Sequence, residues 1–152
     1  MDVDFALLAD AANVSREGKL NILGSFDRIY GTKFPLTWPR MVLVTRFIVS
    51  PAEYGTEKTV DIVTLDADGK KLGTATGKMT VPAGQGGRQL KINHILAMAM
   101  TFPVAGQYSI EILVNGESKA RVPLDVVQRE EKKQNGQPPE GAQPEGPQQA
   151  DV

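Results

Sequence analysis

Asn115-Gly116 stands between two runs of strict two-residue periodicity, and few short features restrict a chain as tightly. Before it, in GQYSIEILVNG, Tyr108, Ile110, Ile112 and Val114 alternate with Ser109, Glu111 and Leu113. After it, in ESKARVPLDVV, Ala120, Val122, Leu124 and Val126 share one face against Arg121, Pro123 and Asp125. Alternation at period two marks half-buried strands. Asn-Gly between them supplies the two positive-φ residues of a type I′ turn, so residues 106–127 read as a β-hairpin. Pro123 has no N–H to give to a ladder, which predicts an edge position or a bulge there.

The same pattern recurs upstream. EKTVDIVTLD and KLGTATGKMTV flank Asp66–Gly69, with Gly69 at the position that needs positive φ. VDFALLADAANV and KLNILGSFDRIYG flank Ser15–Gly18, which makes a first hairpin and a second edge. Gly24, inside its second arm, signals a bulge or a close backbone approach. MVLVTRFIVS carries Val42, Leu43, Val44, Phe47 and Ile48, a run that predicts a strand buried on both faces. LKINHILAMAMTF fits a helix through Leu90, His94, Ala97 and Thr101, but period two collects more: Leu90, Ile92, His94, Leu96, Met98, Met100 and Phe102. It is read as the eighth strand, with room for a short turn at Ile92 to Ile95. About eight strands with no long helix predict an all-β, antiparallel two-sheet β-sandwich, immunoglobulin-like or jelly-roll-like.

Composition bounds the domain and its partners. The chain has 152 residues and a formal charge of -1, long enough for one hydrophobic core without disulfides or metals. After Gln128 the sequence REEKKQNGQPPEGAQPEGPQQADV has four prolines, three glycines, five glutamines and no large apolar residue except Val152. Too little apolar surface is present to offset ordering entropy, so residues 1–128 are read as the domain and 129–152 as a disordered tail. Three bases against five acids give that tail -2, so of the chain's -1 the domain holds about +1. Such a balance provides no field for nucleic acid or an anionic bilayer. No cysteine is present, which excludes thiol chemistry and fits a reducing compartment. The acidic start MDVDFALLAD and the lack of any roughly 18-residue apolar run predict a cytoplasmic protein outside the membrane.

Four places could carry chemistry. His94 is the sole histidine; with Asp27 or Asp10 it could serve a hydrolase, but among Ile92, Ile95 and Leu96 it reads as a packing residue. Asp66-Ala67-Asp68-Gly69 begins like a calcium loop, which Asp2, Asp4 and Asp10 could supplement, yet Lys70 and Lys71 follow where ligands belong. Pro82–Arg88, with Gly84–Gly87, lacks the Gly-Lys-Ser/Thr ending of a phosphate loop and reads as a linker. Tyr30, Phe34, Trp38 and Tyr54 lie among prolines; they suit either a docking surface or a cap on the core.

The stretches FALLADAANVSREGKLNILGSFDRIY, FPLTWPRMVLVTRF and GQYSIEILVNG resemble a family of small uncharacterised bacterial proteins that open with F-A-L-L-A-D-x-A-N-V and G-K-L-N-I-L-G-x-F-D, over roughly residues 3 to 127. The resemblance implies a bacterial cytoplasmic β-sandwich and transfers no catalytic residue. The expectation is therefore a non-enzymatic protein without cofactor or metal that binds a protein partner or itself. The alternative is a carbohydrate or small-molecule module using the aromatic segment around Trp38 and the Gly84–Gly87 loop. The candidate binding residues are Asp27, Arg28, Tyr30, Phe34, Trp38, Tyr54, Arg88 and His94. Asp27 and Arg28 are expected to pair with strand ends, the other reading being a binding rim.

Overall fold

A computed structural model describes residues 1–131; of the tail expected at 129–152, residues 132–152 lie outside the described residues. The strands are β1 (Asp2–Val14), β2 (Leu20–Phe26), β3 (Arg28–Gly31), β4 (Leu36–Val49), β5 (Glu57–Leu65), β6 (Lys71–Thr80), β7 (Leu90–Phe102), β8 (Gly106–Val114) and β9 (Glu117–Gln128). They form a four-stranded sheet, β2-β1-β4-β7, and a five-stranded sheet, β3-β9-β8-β5-β6. A single 3-10 turn, Pro51–Glu53, is the one helical element among the described residues. The all-β sandwich matches the expectation, with nine strands in place of eight.

The predicted turns form as their residues require. Asn115 and Gly116 take φ of 50° and 79°. Asn115 also fastens the hairpin to β5: its Oδ1 accepts from the Thr59 N–H at 2.9 Å, and its own N–H donates to the Thr59 carbonyl at 2.8 Å. In the Asp66–Gly69 turn, the Asp66 carboxylate accepts from the N–H groups of Asp68 and Lys70. At Ser15–Gly18 the Gly18 N–H returns to the Ser15 carbonyl. Residues 90–102 form one continuous strand without a turn at Ile92 to Ile95, because twelve of them pair with β4. A helix there would strip β4 of its ladder.

β4 is buried on both faces, as its composition predicts. Met41, Leu43 and Phe47 face the space between the sheets, against Ile62, Ile110, Ile112 and Leu124. Val42 and Val44 face outward, where Phe5, Leu7, Ala12, Leu20 and Ile95 close over them and Ala9. One extra residue bulges β4 between Trp38 and Met41, at Pro39, which has no N–H to pair.

Two local expectations are refined. Gly24 introduces no register shift; Leu8↔Phe26 and Ala11↔Leu23 keep one register across it. It permits close approach instead: with φ of 66°, it faces Asp10, whose carboxylate a methyl group would strike. Pro123 lies within β9, which is flanked by β8 and β3, and the bulge in that hairpin falls at Ile112/Leu113. The Asp125 N–H bonds the Asp27 carbonyl, so by alternation the nitrogen of Pro123 points to the same side, just before β3 begins pairing at Asp125. The proline therefore occupies a local edge.

The strand absent from the sequence reading is β3. At Asp27 the chain leaves the four-stranded sheet and joins the other, parallel to β9, with Arg28↔Asp125 and Gly31↔Gln128 in register. Ile29 enters the core at 3% exposure, and Gly31 leaves room for Leu36. At the β7–β8 crossing, the Tyr108 hydroxyl donates to the Val104 carbonyl at 2.6 Å and its ring meets Phe102 edge-on at 4.9 Å. A tyrosine bonded a few residues upstream fixes such arches in sandwiches.

Ile110, fully buried between the sheets, offers a direct check on this core. Ile110→Ala is expected to cost about 3 kcal/mol in urea denaturation; a change below about 1 kcal/mol would place that side chain elsewhere.

Candidate functional site

Arg28 and Tyr30 project together from the outer face of β3, alternating with buried Ile29 and Gly31. Arg28 Nη2 donates to Asp125 Oδ2 at 3.2 Å, and this bond holds the guanidinium pKa above its usual value. The pairing of Asp27 and Arg28 is thus with the end of β9: Arg28 meets the Asp125 carboxylate, while Asp27 contributes its backbone carbonyl. The Arg129 guanidinium lies 3.4 Å from the centroid of the Tyr30 ring. Both side chains bind the short parallel strand to its neighbour.

The aromatic residues do not form one surface. Phe34 and Trp38 are half-buried against the main core, as the cap reading requires. Tyr54 follows the far end of β4, roughly 35 Å of strand from Trp38. There its hydroxyl bonds the Arg88 carbonyl, and Gly84 is closed in by its ring. The Pro82–Arg88 segment is thus anchored on Tyr54 and is no free linker. The alternative module built from Trp38 and Gly84–Gly87 has its two halves at opposite ends of β4.

His94 sits on β7 opposite Thr45 of β4, its ring 6.1 Å from that of Phe47. Burial lowers its pKa. Its Nδ1 and the hydroxyl of fully buried Thr45 both lack hydrogen-bond partners among the described residues. Asp10 lies on β1 and Asp27 follows β2, toward the opposite edge of the same sheet, so neither reaches His94. Asp2 and Asp4 pair with Lys119 and Lys91, apart from the Asp66–Gly69 turn.

Two surface features remain, and only the first had no counterpart in the sequence reading. One is a trough between the free edges of β6 and β7. Inward-facing Val60, Ile62 and Thr64 of β5 are paired with Gly77, Ala75 and Gly73 of β6, and paired residues share a face. β6 therefore turns almost no side chain toward half-buried Leu96, Met98 and Met100 of β7. The space left is a cavity of about 350 Å³ floored by Ile62 and Thr64, continuing as about 210 Å³ toward His94 and Met79. The signal for it was the Gly-x-Ala-x-Gly spacing of β6, which a propensity reading takes only as weak strand. The other is β2, the edge expected in the first hairpin, an outer strand on which Leu23 is 71% and Ile22 36% exposed, with Val14 at 45% across the hairpin.

This trough and all nine strands, apart from the outermost residues of β1 and β9, lie within residues 4–127, the segment over which DUF6941, described as a family of unknown function, matches. The chain belongs to this family. No curated protein matches it. The DUF6941 domain thus comprises both sheets complete except for the first residues of β1 and the last of β9. No helix among its described residues is long and apolar enough to cross a membrane.

Two titrations probe this arrangement. Because the folded pKa of His94 is below its unfolded value, its contribution is complete above about pH 6.5 and is lost as pH falls through the folded value. His94→Leu should flatten stability between pH 7 and 5. Glu53, held to about 2 by the amino terminus, the Ser50 N–H and Lys58, adds a separate loss only below the ordinary carboxylate range. Thermal melts across pH separate the two; a slope between pH 7 and 5 that survives His94→Leu would remove His94 from the account.

Proposed function

We propose that this domain is a non-enzymatic interaction module that associates with a protein strand, or with itself, through the uncovered edge of β2. The observation carrying this reading is the character of that edge. LNILGSF contains no charge and no proline, and Leu23 is 71% exposed. An edge strand presents unpaired N–H and C=O groups, and soluble proteins blunt such edges with lysine, proline or cover. The edges of the five-stranded sheet carry these devices, Lys71 and Lys78 on β6 and a β3 only four residues long, whereas β7 has a lysine only at one end, Lys91. β2 has the properties of a strand that meets another strand.

The binding surface is then backbone hydrogen bonding with Ile22 and Leu23 as side-chain anchors, and no reaction is required of it. A bacterial cytosolic setting is compatible with the cysteine-free sequence and with the family resemblance. The near-neutral domain charge favours a partner recognised by shape and apolar contact over a polyanion.

Sedimentation velocity at high micromolar concentration checks the self-association arm. The wild-type chain is expected to associate, and Leu23→Lys to shift it to monomer with its melting temperature nearly unchanged, since that side chain packs on little. A wild-type monomer that also recovers no partner by affinity purification would remove the proposal.

A further inference from the structure

The uncharged edge β2 and the trough beside β7 lie at the two outer edges of the same four-stranded sheet. Resting on the β2 reading above, we propose that the partner of β2 is the trough edge of a second copy. β2 pairs antiparallel with the second copy's β7, and an apolar side chain of β2 enters the space between its β6 and β7.

Strand direction permits this. β2 and β4 both run antiparallel to β1, and β7 runs antiparallel to β4; β2 and β7 therefore point in opposite directions. A copy added in the same orientation continues the sheet as an antiparallel one, without inverting either molecule. Ile22 and Leu23 turn to opposite sides of the strand, so one of them faces the trough in either register.

Surface chemistry matches along the contact. The trough wall is Leu96, Met98 and Met100 facing Ala75 and the glycines of β6, and methionine side chains adapt to an incoming apolar group. Centring β2 on Leu96 brings Asp27, which forms no ion pair among the described residues, toward Lys91, which is 57% exposed beside its partner Asp4. The same placement brings Lys19 toward the Asp66–Asp68 turn, which borders the trough at Leu72. Opposite charges thus meet at both ends of an otherwise neutral contact. The contact is heterologous, so each copy keeps one unused edge and assembly proceeds to a ring or an open chain.

Mixing two blocked variants tests this. Leu23→Lys spoils β2, and Ala75→Lys, at an exposed position in the trough wall, spoils the trough; Gly77→Lys replaces the latter if it does not fold. Each variant alone is expected to be monomeric by sedimentation velocity, and an equimolar mixture to form a dimer of one copy each that grows no further. If Ala75→Lys alone associates as the wild type does, β2 meets another β2 or a foreign strand. The trough inference is then overturned while the β2 proposal stands. If Ala75→Lys also abolishes binding of an apolar dye, the trough holds a small molecule instead. A mixture that stays monomeric overturns the head-to-tail contact as well. Association unaffected by Leu23→Lys overturns both this inference and the β2 reading it rests on.

Discussion

The fold depends on β4 being buried on both faces. A strand carrying Met41, Leu43 and Phe47 on one side and Val42 and Val44 on the other must have one cover inside and another outside. The five-stranded sheet supplies the first. The distal part of the β1–β2 hairpin supplies part of the second, with Ala12 and Leu20 packing against Val42 and Val44. Apolar area of that extent contributes on the order of 25 cal/mol per Å² removed from water, enough to hold β1 and β7 against β4 along nearly their whole lengths.

From that arrangement the uncovered surfaces follow. β1 and β7 occupy both ladders of β4, so β2 and β7 become the outer edges of the sheet. The chain then crosses at Asp27 to build β3 on β9, far from β6, and leaves the β6–β7 flank without a closing element. Gly73, Ala75 and Gly77 keep that flank empty where larger residues would have filled it. The interaction surfaces are thus consequences of where the core was spent.

Strands and turns were legible because their causes are local. Asn115-Gly116, Gly69 and Gly18 each need a backbone conformation that few residues adopt, and the alternation of Tyr108 to Val114 can face a core only one way. β3 was not legible because four residues are too few to show a period, and its partners lie on β9, where Asp125 hydrogen-bonds Arg28 across 97 positions of sequence. Pro123 was read as an edge, and it is one, but only over the part of β9 that β3 does not reach. The aromatic residues misled for a related reason. Proximity in sequence suggested one surface, while an extended 14-residue strand carried Trp38 and Tyr54 to opposite ends. The trough depends on two strands in different sheets, and no single stretch of sequence encodes such a pair.

Amide hydrogen exchange followed against protein concentration tests the central claim most directly, because strand addition protects outward N–H groups at one edge and leaves the core unchanged. Protection is predicted to rise with concentration at alternate residues of Leu20–Phe26 and along the free edge of β7. Association accompanied by new protection elsewhere, with Leu20–Phe26 exchanging as fast as in the dilute chain, would contradict it.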